Sequence, residues 1–320
     1  MIQRKTTAGD SSSVGVSTRL HGLHGSTSDA CLRLFAAASI VWYHTDPERT
    51  ADILGGIALG IFLYLSFLHL AQHDNVWSAV TRRAKQLLIP WAAWWLFYAA
   101  ISFWRARGLP SGLDLSNPVG TLLVWPAVHL WYLPFVFFGS LGVSLVRMMT
   151  TEISRHSEIV LVLVAGLGLL PLLAFVPALP SPIGQMAYAI PTIGLGLAYG
   201  YCQGKSPRQQ RWSFVAIAGL VAAACVPIWM WGEPIVAIAY TGSSLLMILY
   251  TVRLPRSRFL RRLGGLTLGI YLVHPFVMLV LLKFLGPDHP HWFYASMTFV
   301  LAGLMTWSVR HIHRHARMII

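Results

Sequence analysis

The sequence is short of charged residues, and of acidic residues above all. Only 11% of its 320 residues are charged, and 11 Asp and Glu stand against 24 Lys and Arg. Soluble domains carry about 25% charged residues, so this fraction cannot cover a soluble surface of this size. The composition therefore excludes a soluble globular protein, a disordered chain and a collagen-like fibre.

Cysteine is also scarce, and the common catalytic signatures are absent. The three cysteines, Cys31, Cys202 and Cys225, lie in or beside apolar segments without metal-type spacing. They are expected to pack as small residues rather than to form disulfides or a reactive thiol. The sequence has no Walker-type glycine loop, no G-x-S-x-G, no H-E-x-x-H and no dinucleotide fingerprint. No metal site is expected, because the histidines of segment 311–315 have no acidic or thiol ligand near them.

The chain does have long apolar runs, with 56% hydrophobic residues and a mean hydropathy of +0.61. Lipid offers backbone groups no partner, so each apolar run must be a helix. We predict a tail that is disordered and cytoplasmic (1–28), a transmembrane domain of ten helices (29–310) and a basic cytoplasmic tail (311–320). The short apolar segment 118–128 is expected to be re-entrant or interfacial. The predicted spans are 29–46, 51–71, 86–104, 129–148, 158–176, 184–202, 212–231, 234–252, 264–284 and 291–310.

The positive charge is distributed unevenly about these spans. A net charge of +13 and a pI near 10.2 could indicate a nucleic-acid partner. However, 19 of the 24 basic residues fall in the two tails and in loops on the same side, four fall opposite, and Arg33 lies within the first span. The positive-inside rule then places both termini in the cytoplasm, as an even number of spans also requires. We predict an all-α integral membrane bundle that contacts lipid and binds no nucleic acid.

Arg33 and His44 are the polar residues that stand out within the first span. A cation at the centre of a membrane helix costs about 2.5–3.5 kcal/mol or more, so it requires a partner or a function. Their separation of 11 residues returns to the same helix face within about 20°, with an axial distance of about 16 Å. Individually, Arg33 could reach lipid phosphates and His44 could be interfacial. Their common face favours a functional pair in which neutral His44 accepts a proton.

Three other histidines are candidates of different weight. His129 begins the fourth span on the outer side, at the expected level of His44, although an aromatic interfacial anchor is the simpler interpretation. His274 lies in mid-span before Pro275, which frees a backbone carbonyl, so a structural bond and a functional cavity are both open. His69, near the cytoplasmic end of the second span, is expected to lie in water.

Four segments, in order along residues 30–280, resemble the membrane-bound acyltransferase 3 family. They are the first span with Arg33 and His44, the basic run Arg82–Pro90, the stretch His129–Leu133, and the Tyr-Leu-Val-His-Pro motif that begins at Tyr271. Two positions depart from the pattern of that family. Ser66 is followed by Phe67 where glycine is usual, and Lys85 or Gln86 stands where a second arginine is usual.

The resemblance implies an enzyme that transfers an acyl group, usually acetyl, to a hydroxyl of an extracytoplasmic carbohydrate such as an exopolysaccharide, O-antigen or glucan. It implies acetyl-CoA or another acyl-CoA as a cytoplasmic donor substrate, with no permanently bound cofactor, and a location in the bacterial inner membrane. His44 could act as a general base or as a covalent acyl carrier, and the sequence leaves both open. The candidate residues are His44, Arg33 and His129 for catalysis, Arg82, Arg83 and Lys85 for the donor, and Trp131, Ser66, Tyr271 and His274 for the cavity.

Two other functions suit ten spans with a polar first helix. One is a transporter or flippase for a lipid-linked sugar or a small solute. However, proton-coupled transporters usually carry buried carboxylates, and here only Asp29 and Asp52 come near, at span edges. The other is a non-catalytic membrane subunit of a polysaccharide synthase, in which alanine at Arg33 or His44 would be harmless.

Overall fold

The structure is a computed structural model that describes residues 26–46, 49–72, 76–106, 110, 113, 116–149, 154–179 and 183–312. Within these ranges the chain forms helices and no β-strand. The α-helices are α1 (Thr27–Thr45), α2 (Arg49–Leu70), α3 (Val76–Arg83), α4 (Ile89–Ala106), α5 (Pro118–Val124), α6 (Tyr132–Met149), α7 (Arg155–Gly168), α8 (Ile183–Tyr201), α9 (Pro207–Met230), α10 (Pro234–Met247), α11 (Arg258–Gly264), α12 (Thr267–Leu285) and α13 (His291–Ile312). The 3₁₀ segments Val128–Trp131, Leu170–Ala178 and Ile248–Thr251 adjoin α6, α7 and α10, and the π-helical segment Ala84–Leu88 joins α3 to α4.

Eight helical stretches of the described chain are long and apolar enough to cross a membrane. They cover eight of the ten predicted spans, and the other two, 29–46 and 184–202, are the helices α1 and α8. Asp29 and Arg33 lower the hydropathy of α1, and glycine, Gln185 and tyrosine lower that of α8. The predicted tails lie almost entirely outside the described residues. Thr27 and Ser28 already belong to α1, and His311 and Ile312 end α13.

α2 is the central helix, and small residues bring its neighbours close to it. It packs against α1, α8 and α10. A Cβ atom on Gly200 of α8 would lie 2.6 Å from the Leu68 carbonyl oxygen, and one on Gly196 would lie 3.0 Å from the Tyr64 carbonyl oxygen. This Gly-x-x-x-Gly spacing lets two backbones meet where lipid supplies no hydrophobic drive for association. The low hydropathy of α8 therefore reflects its burial between other helices.

The third predicted span, 86–104, begins earlier than expected. The helix starts at Val76 and passes through the π-helical segment Ala84–Leu88 before it continues from Ile89. Pro90 has no N–H for the carbonyl four residues before it, and a π-turn is one way to accommodate that loss. The apolar pattern missed the first turns of this helix because they carry Arg82 and Arg83.

The structure also describes the short apolar segment and the cysteines. Segment 118–128 contains the separate short helix α5, after which Trp125 packs against the rings of Trp95 and Phe103 at 5.5 and 5.7 Å. Cys202 and Cys225 are buried and Cys31 is half-buried, as expected for residues that fill space between helices.

The loops and helix ends that were predicted to be cytoplasmic lie at one end of the bundle. The hydroxyl of Thr27, at the start of α1, donates to the Pro255 carbonyl at 2.9 Å. Arg147, near the end of α6, donates to the carbonyl of Leu70 at 3.4 Å. At the opposite end, the His291 ring lies 2.8 Å from the carbonyl of Thr45. The bundle therefore has a basic end, defined by Thr27, Leu70 and the 252–258 loop, and a far end defined by Thr45 and His291.

Candidate active site

One face of α2 lines a cavity toward the far end of the bundle. Asp52, Gly55 and Phe62 line it at the spacing of a single helix face, and His44 of α1 contributes to the facing wall. The cavity volume is about 950 Å³, at the upper end of the range of about 300–1,000 Å³ for small-molecule sites. Its aromatic lining comprises Tyr43, Phe62, Trp131, Tyr132, Tyr188 and Tyr271, and its polar lining includes His44, Asp46, Asp52, His129 and Gln185.

Three imidazole rings converge beside this cavity. The ring centroids of His44 and His129 lie 6.4 Å apart, those of His44 and His274 lie 5.1 Å apart, and those of His129 and His274 lie 5.4 Å apart. His44 and His129 line the cavity, whereas His274 lies behind them and is fully buried. The structure thus brings His129 to the level of His44, as the sequence predicts. Among the described residues, no group of three or more His, Cys, Asp or Glu side chains is arranged to hold a metal ion.

Two tyrosines hold this histidine cluster in place. The Tyr271 hydroxyl donates to the backbone carbonyl of His129 and so joins α12 to the 3₁₀ segment before α6. The Tyr98 ring packs edge-on against the His129 ring at 5.5 Å, and its hydroxyl donates to the Leu272 carbonyl at 2.7 Å. Both tyrosines are buried, so His129 is fixed by its backbone and by its ring.

Aromatic rings close the inner end of the cavity. Phe62, Tyr132 and Tyr271 form a layer in which ring centroids lie 5.6 to 6.3 Å apart. The Tyr132 hydroxyl lies 3.0 Å from the hydroxyl of Ser66. Ser66 is four residues, or about 6 Å, beyond Phe62 along α2. A pair of hydroxyl groups therefore connects the floor of the cavity with the part of α2 that leads to the basic end.

The three cations predicted to bind the donor do not share one environment. Arg83 turns into the bundle, where its guanidinium donates to the Ser140 hydroxyl at 2.7 Å and to the Ser66 carbonyl at 2.5 Å. Arg82 and Lys85 are exposed on the surface of the bundle. Arg83 is therefore anchored below the cavity floor, whereas Arg82 and Lys85 remain open to a ligand.

Arg33 pairs near the start of α1 and does not line the cavity. Its Nε lies 3.1 Å from Asp29 Oδ1, and its Nη2 lies 3.0 Å from His69 Nε2. The expectation that His69 lies in water is wrong, because its side chain is only 12% exposed and contacts Asp29 at 3.4 Å. Arg33 and His44 do face the same helix, α2, as their spacing predicts. Arg33 contacts α2 at His69, whereas the part of α2 that lines the cavity with His44 ends at Phe62. Seven residues separate Phe62 from His69, so the two levels on α2 lie about 10 Å apart or more.

In the structure the four sequence motifs lie along one axis that runs from the basic end to the cavity. Comparison with known families agrees with the resemblance that these motifs carry. A family model described as an acyltransferase domain, that of the acyltransferase 3 family, matches residues 30–309. The chain belongs to the acyltransferase 3 family. No curated protein and no solved structure matches the chain. The family and the apolar helices together identify an integral-membrane acyltransferase.

Motif reasoning found four of the residues that line the cavity of this acyltransferase, His44, His129, Trp131 and Tyr271, and missed most of the others. Trp131 and Tyr271 line the cavity as predicted, while Ser66 reaches it through Tyr132. Tyr132 lies inside the stretch His129–Leu133 and was overlooked. His69 was considered but wrongly placed in water, although it lies three residues after Ser66 on α2 and pairs with Arg33. Tyr98 had no motif to mark it, because its role depends on packing between α4 and α12.

Proposed function

We propose that this acyltransferase moves an acyl group, with acetyl as the first candidate, from cytoplasmic acyl-CoA to a hydroxyl of an extracytoplasmic carbohydrate. The observation that carries the proposal is the convergence of His44 and His129 in a cavity at the far end of the bundle, away from the basic loops. The family supplies the reaction class, and the positive-inside rule supplies the side on which the cavity opens. The corresponding location is the inner membrane of a bacterium.

The lining of the cavity supports a carbohydrate acceptor. Tyr43, Trp131 and Tyr188 offer flat apolar surfaces, while Asp46, Asp52 and Gln185 offer acceptors or donors for hydroxyl groups. Mixed aromatic and polar walls of this kind bind a ligand by shape and orient it by a few hydrogen bonds. The volume suits a small number of sugar rings rather than a long apolar chain.

The donor is proposed to approach from the basic end. Arg82 and Lys85 are exposed there and can pair with the phosphates of a CoA, while Arg83 holds α2 and α6 together behind them. Arg33 lies near the same end beside His69, and its charge is paired with Asp29, so Arg83 is the cation placed closer to the floor of the cavity. The acyl thioester would then reach His44 beside the Ser66–Tyr132 pair, which requires the Tyr132 ring to move out of the aromatic layer that closes the cavity.

In this mechanism His44 is the catalytic base. Its neutral imidazole takes the proton as the acceptor O–H bond breaks, and the oxygen attacks the thioester carbonyl carbon. The carbon–sulfur bond then breaks, and the leaving thiolate takes the proton from His44, so that the products are an ester and free CoA. His129 lines the same cavity, with its ring centroid 6.4 Å from that of His44, and is the second imidazole proposed to bond the acceptor hydroxyl. An acyl-imidazole on His44 is the covalent alternative; it predicts acyl label retained on the protein after the donor is removed, and hydroxylamine should release that label.

The direct test is His44→Ala in the full chain. Membranes from cells that express it are incubated with radiolabelled acetyl-CoA, and base-labile label on their own surface glycans is measured. We expect a loss of about 10²- to 10⁴-fold, which is the usual contribution of a positioned base.

His289→Ala is the matched control, because His289 is exposed in the loop between α12 and α13. It should label as well as the unsubstituted chain. Normal labelling by His44→Ala at equal protein level would refute the role of His44. Absence of label with the unsubstituted chain, across acetyl-, succinyl- and other short acyl-CoA donors, would refute the acyl-transfer proposal itself.

A further inference from the structure

The peptide His274-Pro275 in α12 fixes the tautomer of a buried imidazole. Pro275 has no N–H, so the Tyr271 carbonyl lacks the donor that a regular helix would supply. The His274 Nδ1 atom takes that place, 2.7 Å from the Tyr271 oxygen and 3.3 Å from the Ile270 oxygen. Carbonyl oxygens only accept, so Nδ1 must carry the hydrogen. In a neutral imidazole the lone pair then lies on Nε2.

No residue of α12 donates a hydrogen bond to this Nε2 atom. The His274 side chain is 0% exposed, and its Nε2 has no hydrogen-bond partner among the described residues. Buried polar atoms are almost always paired, and an unpaired one costs about 1–3 kcal/mol. The centroid of the His274 ring lies 5.1 Å from that of His44 and 5.4 Å from that of His129.

We propose that His274 is the residue that orients His44. In this arrangement the Nε2 lone pair of His274 accepts the N–H of one His44 nitrogen, which leaves the lone pair of the other nitrogen facing the cavity. The ring-centroid distance already suits an N–H···N bond, so the arrangement requires a rotation of the rings and no large movement, and hydrogen bonds of catalytic groups commonly tighten when substrate binds. His274 does not line the cavity, so it acts on the reaction through His44 and is a positioning residue.

The orientation supports the proton step of the proposed function, on which this inference rests. When the acceptor hydroxyl gives its proton to His44, both His44 nitrogens carry hydrogen and the ring is cationic. The His274 lone pair stabilises that cation through the N–H it already accepts, and no proton needs to leave the pair. The proton returns from His44 to the departing thiolate, so the His274 tautomer is unchanged at the end of the cycle.

His129 is a less suitable partner for the same task. Its ring centroid lies 6.4 Å from that of His44, further than that of His274, and it lines the cavity, although its Nε2 is also buried without a hydrogen-bond partner among the described residues. Its backbone carbonyl is held by the Tyr271 hydroxyl, which positions the residue as a wall of the site. The geometry therefore divides the cluster into two residues that face the cavity and one that supports them from behind.

The decisive experiment compares His274→Gln with His274→Asn in the radiolabelled acetyl-CoA assay. Glutamine can place an amide oxygen near the position of Nε2, whereas asparagine reaches only the position of Nδ1. We expect His274→Asn to lower kcat at least tenfold with the KM for acetyl-CoA unchanged, and His274→Gln to recover a substantial part of the loss. Both proteins are checked for quantity and for a single peak in detergent chromatography.

Pro275→Ala supplies a second test that leaves every imidazole in place. The new N–H competes for the Tyr271 carbonyl and releases His274 Nδ1, so kcat should fall in the unsubstituted chain but not further in His274→Gln. Equal activities of the Gln and Asn variants, or a Pro275→Ala effect that is the same in both backgrounds, would overturn the proposal. These results differ from failure of the proposed function, in which the unsubstituted chain itself transfers no label.

Discussion

Two arginines inside this bundle are satisfied in different ways. Arg33 meets a carboxylate, Asp29, that is 4% exposed, and so forms part of a local ion pair. Arg83 meets neutral acceptors, the Ser66 carbonyl and the Ser140 hydroxyl, and keeps its charge uncompensated by these contacts. A cation held below the cavity floor by neutral groups can still attract an anionic donor. The charge of Arg33, in contrast, is partly neutralised by the carboxylate of Asp29.

Variants of the adjacent residues Arg82 and Arg83 separate support of the fold from binding of the donor. Arg83→Ala removes the bridge between the Ser66 carbonyl of α2 and the Ser140 hydroxyl of α6, so we expect a loss of stability of about 1–3 kcal/mol. Arg83→Lys should recover little, because an ammonium cannot bridge two acceptors with a planar fork. The measurement is the thermal midpoint of aggregation in detergent.

The matched variant is Arg82→Ala, whose side chain is exposed. It should keep the midpoint of the unsubstituted chain and raise the KM for acetyl-CoA, because an exposed cation that pairs with phosphate contributes to binding alone. If Arg83→Ala proved as stable as Arg82→Ala, Arg83 would not hold the helices together.

At the scale of helices, some glycines allow two helix backbones to approach closely and others do not. A Cβ on Gly200 would lie 2.4 Å from the Ala71 Cβ and 2.6 Å from the Leu68 carbonyl oxygen, so α8 would have to move away from α2. We expect Gly200→Ala to destabilise the bundle by about 1–3 kcal/mol, the usual cost of overpacking. The yield of monodisperse protein after a fixed heat step measures it.

Gly219 of α9 offers the comparison, since a Cβ there meets no atom of the described residues within 4 Å. Gly219→Ala should leave the yield unchanged or improve it, because alanine favours a helix over glycine by about 1 kcal/mol. Similar losses at both positions would mean that helix packing is not what Gly200 provides.

For the molecule as a whole, the sequence predicts the helices, eight of which are long and apolar enough to cross a membrane, better than it predicts which helices contact one another. Apolar runs locate all ten predicted helices because lipid permits no other spanning structure. The meeting of His44, His129 and His274 is partly predictable from motifs, since His129 and His44 share an expected level. The pairing of His69 with Arg33 is not, because it depends on which face of α2 meets α1, and the hydrophobic period of a helix buried on several sides does not show this.

The orientation of the whole molecule can be tested at two exposed loop residues. Arg256 lies beside the contact of Pro255 with Thr27, and Asp288 lies beside the contact of His291 with Thr45. The 19 residues of α1 separate these contacts by about 28 Å, roughly the thickness of a hydrocarbon core. The basic loop should be cytoplasmic. We therefore expect Asp288→Cys to react with a membrane-impermeant maleimide in intact spheroplasts and Arg256→Cys to react only after lysis.

The background for this labelling is the chain with serine at its three native cysteines, of which Cys202 and Cys225 are buried. That background should remain unlabelled both before and after lysis. The reverse pattern, with Arg256→Cys labelled in intact spheroplasts and Asp288→Cys protected, would place the histidine cavity on the cytoplasmic side. An extracytoplasmic acceptor would then have no access to His44, and the transfer proposed here would have to end on a cytoplasmic hydroxyl instead.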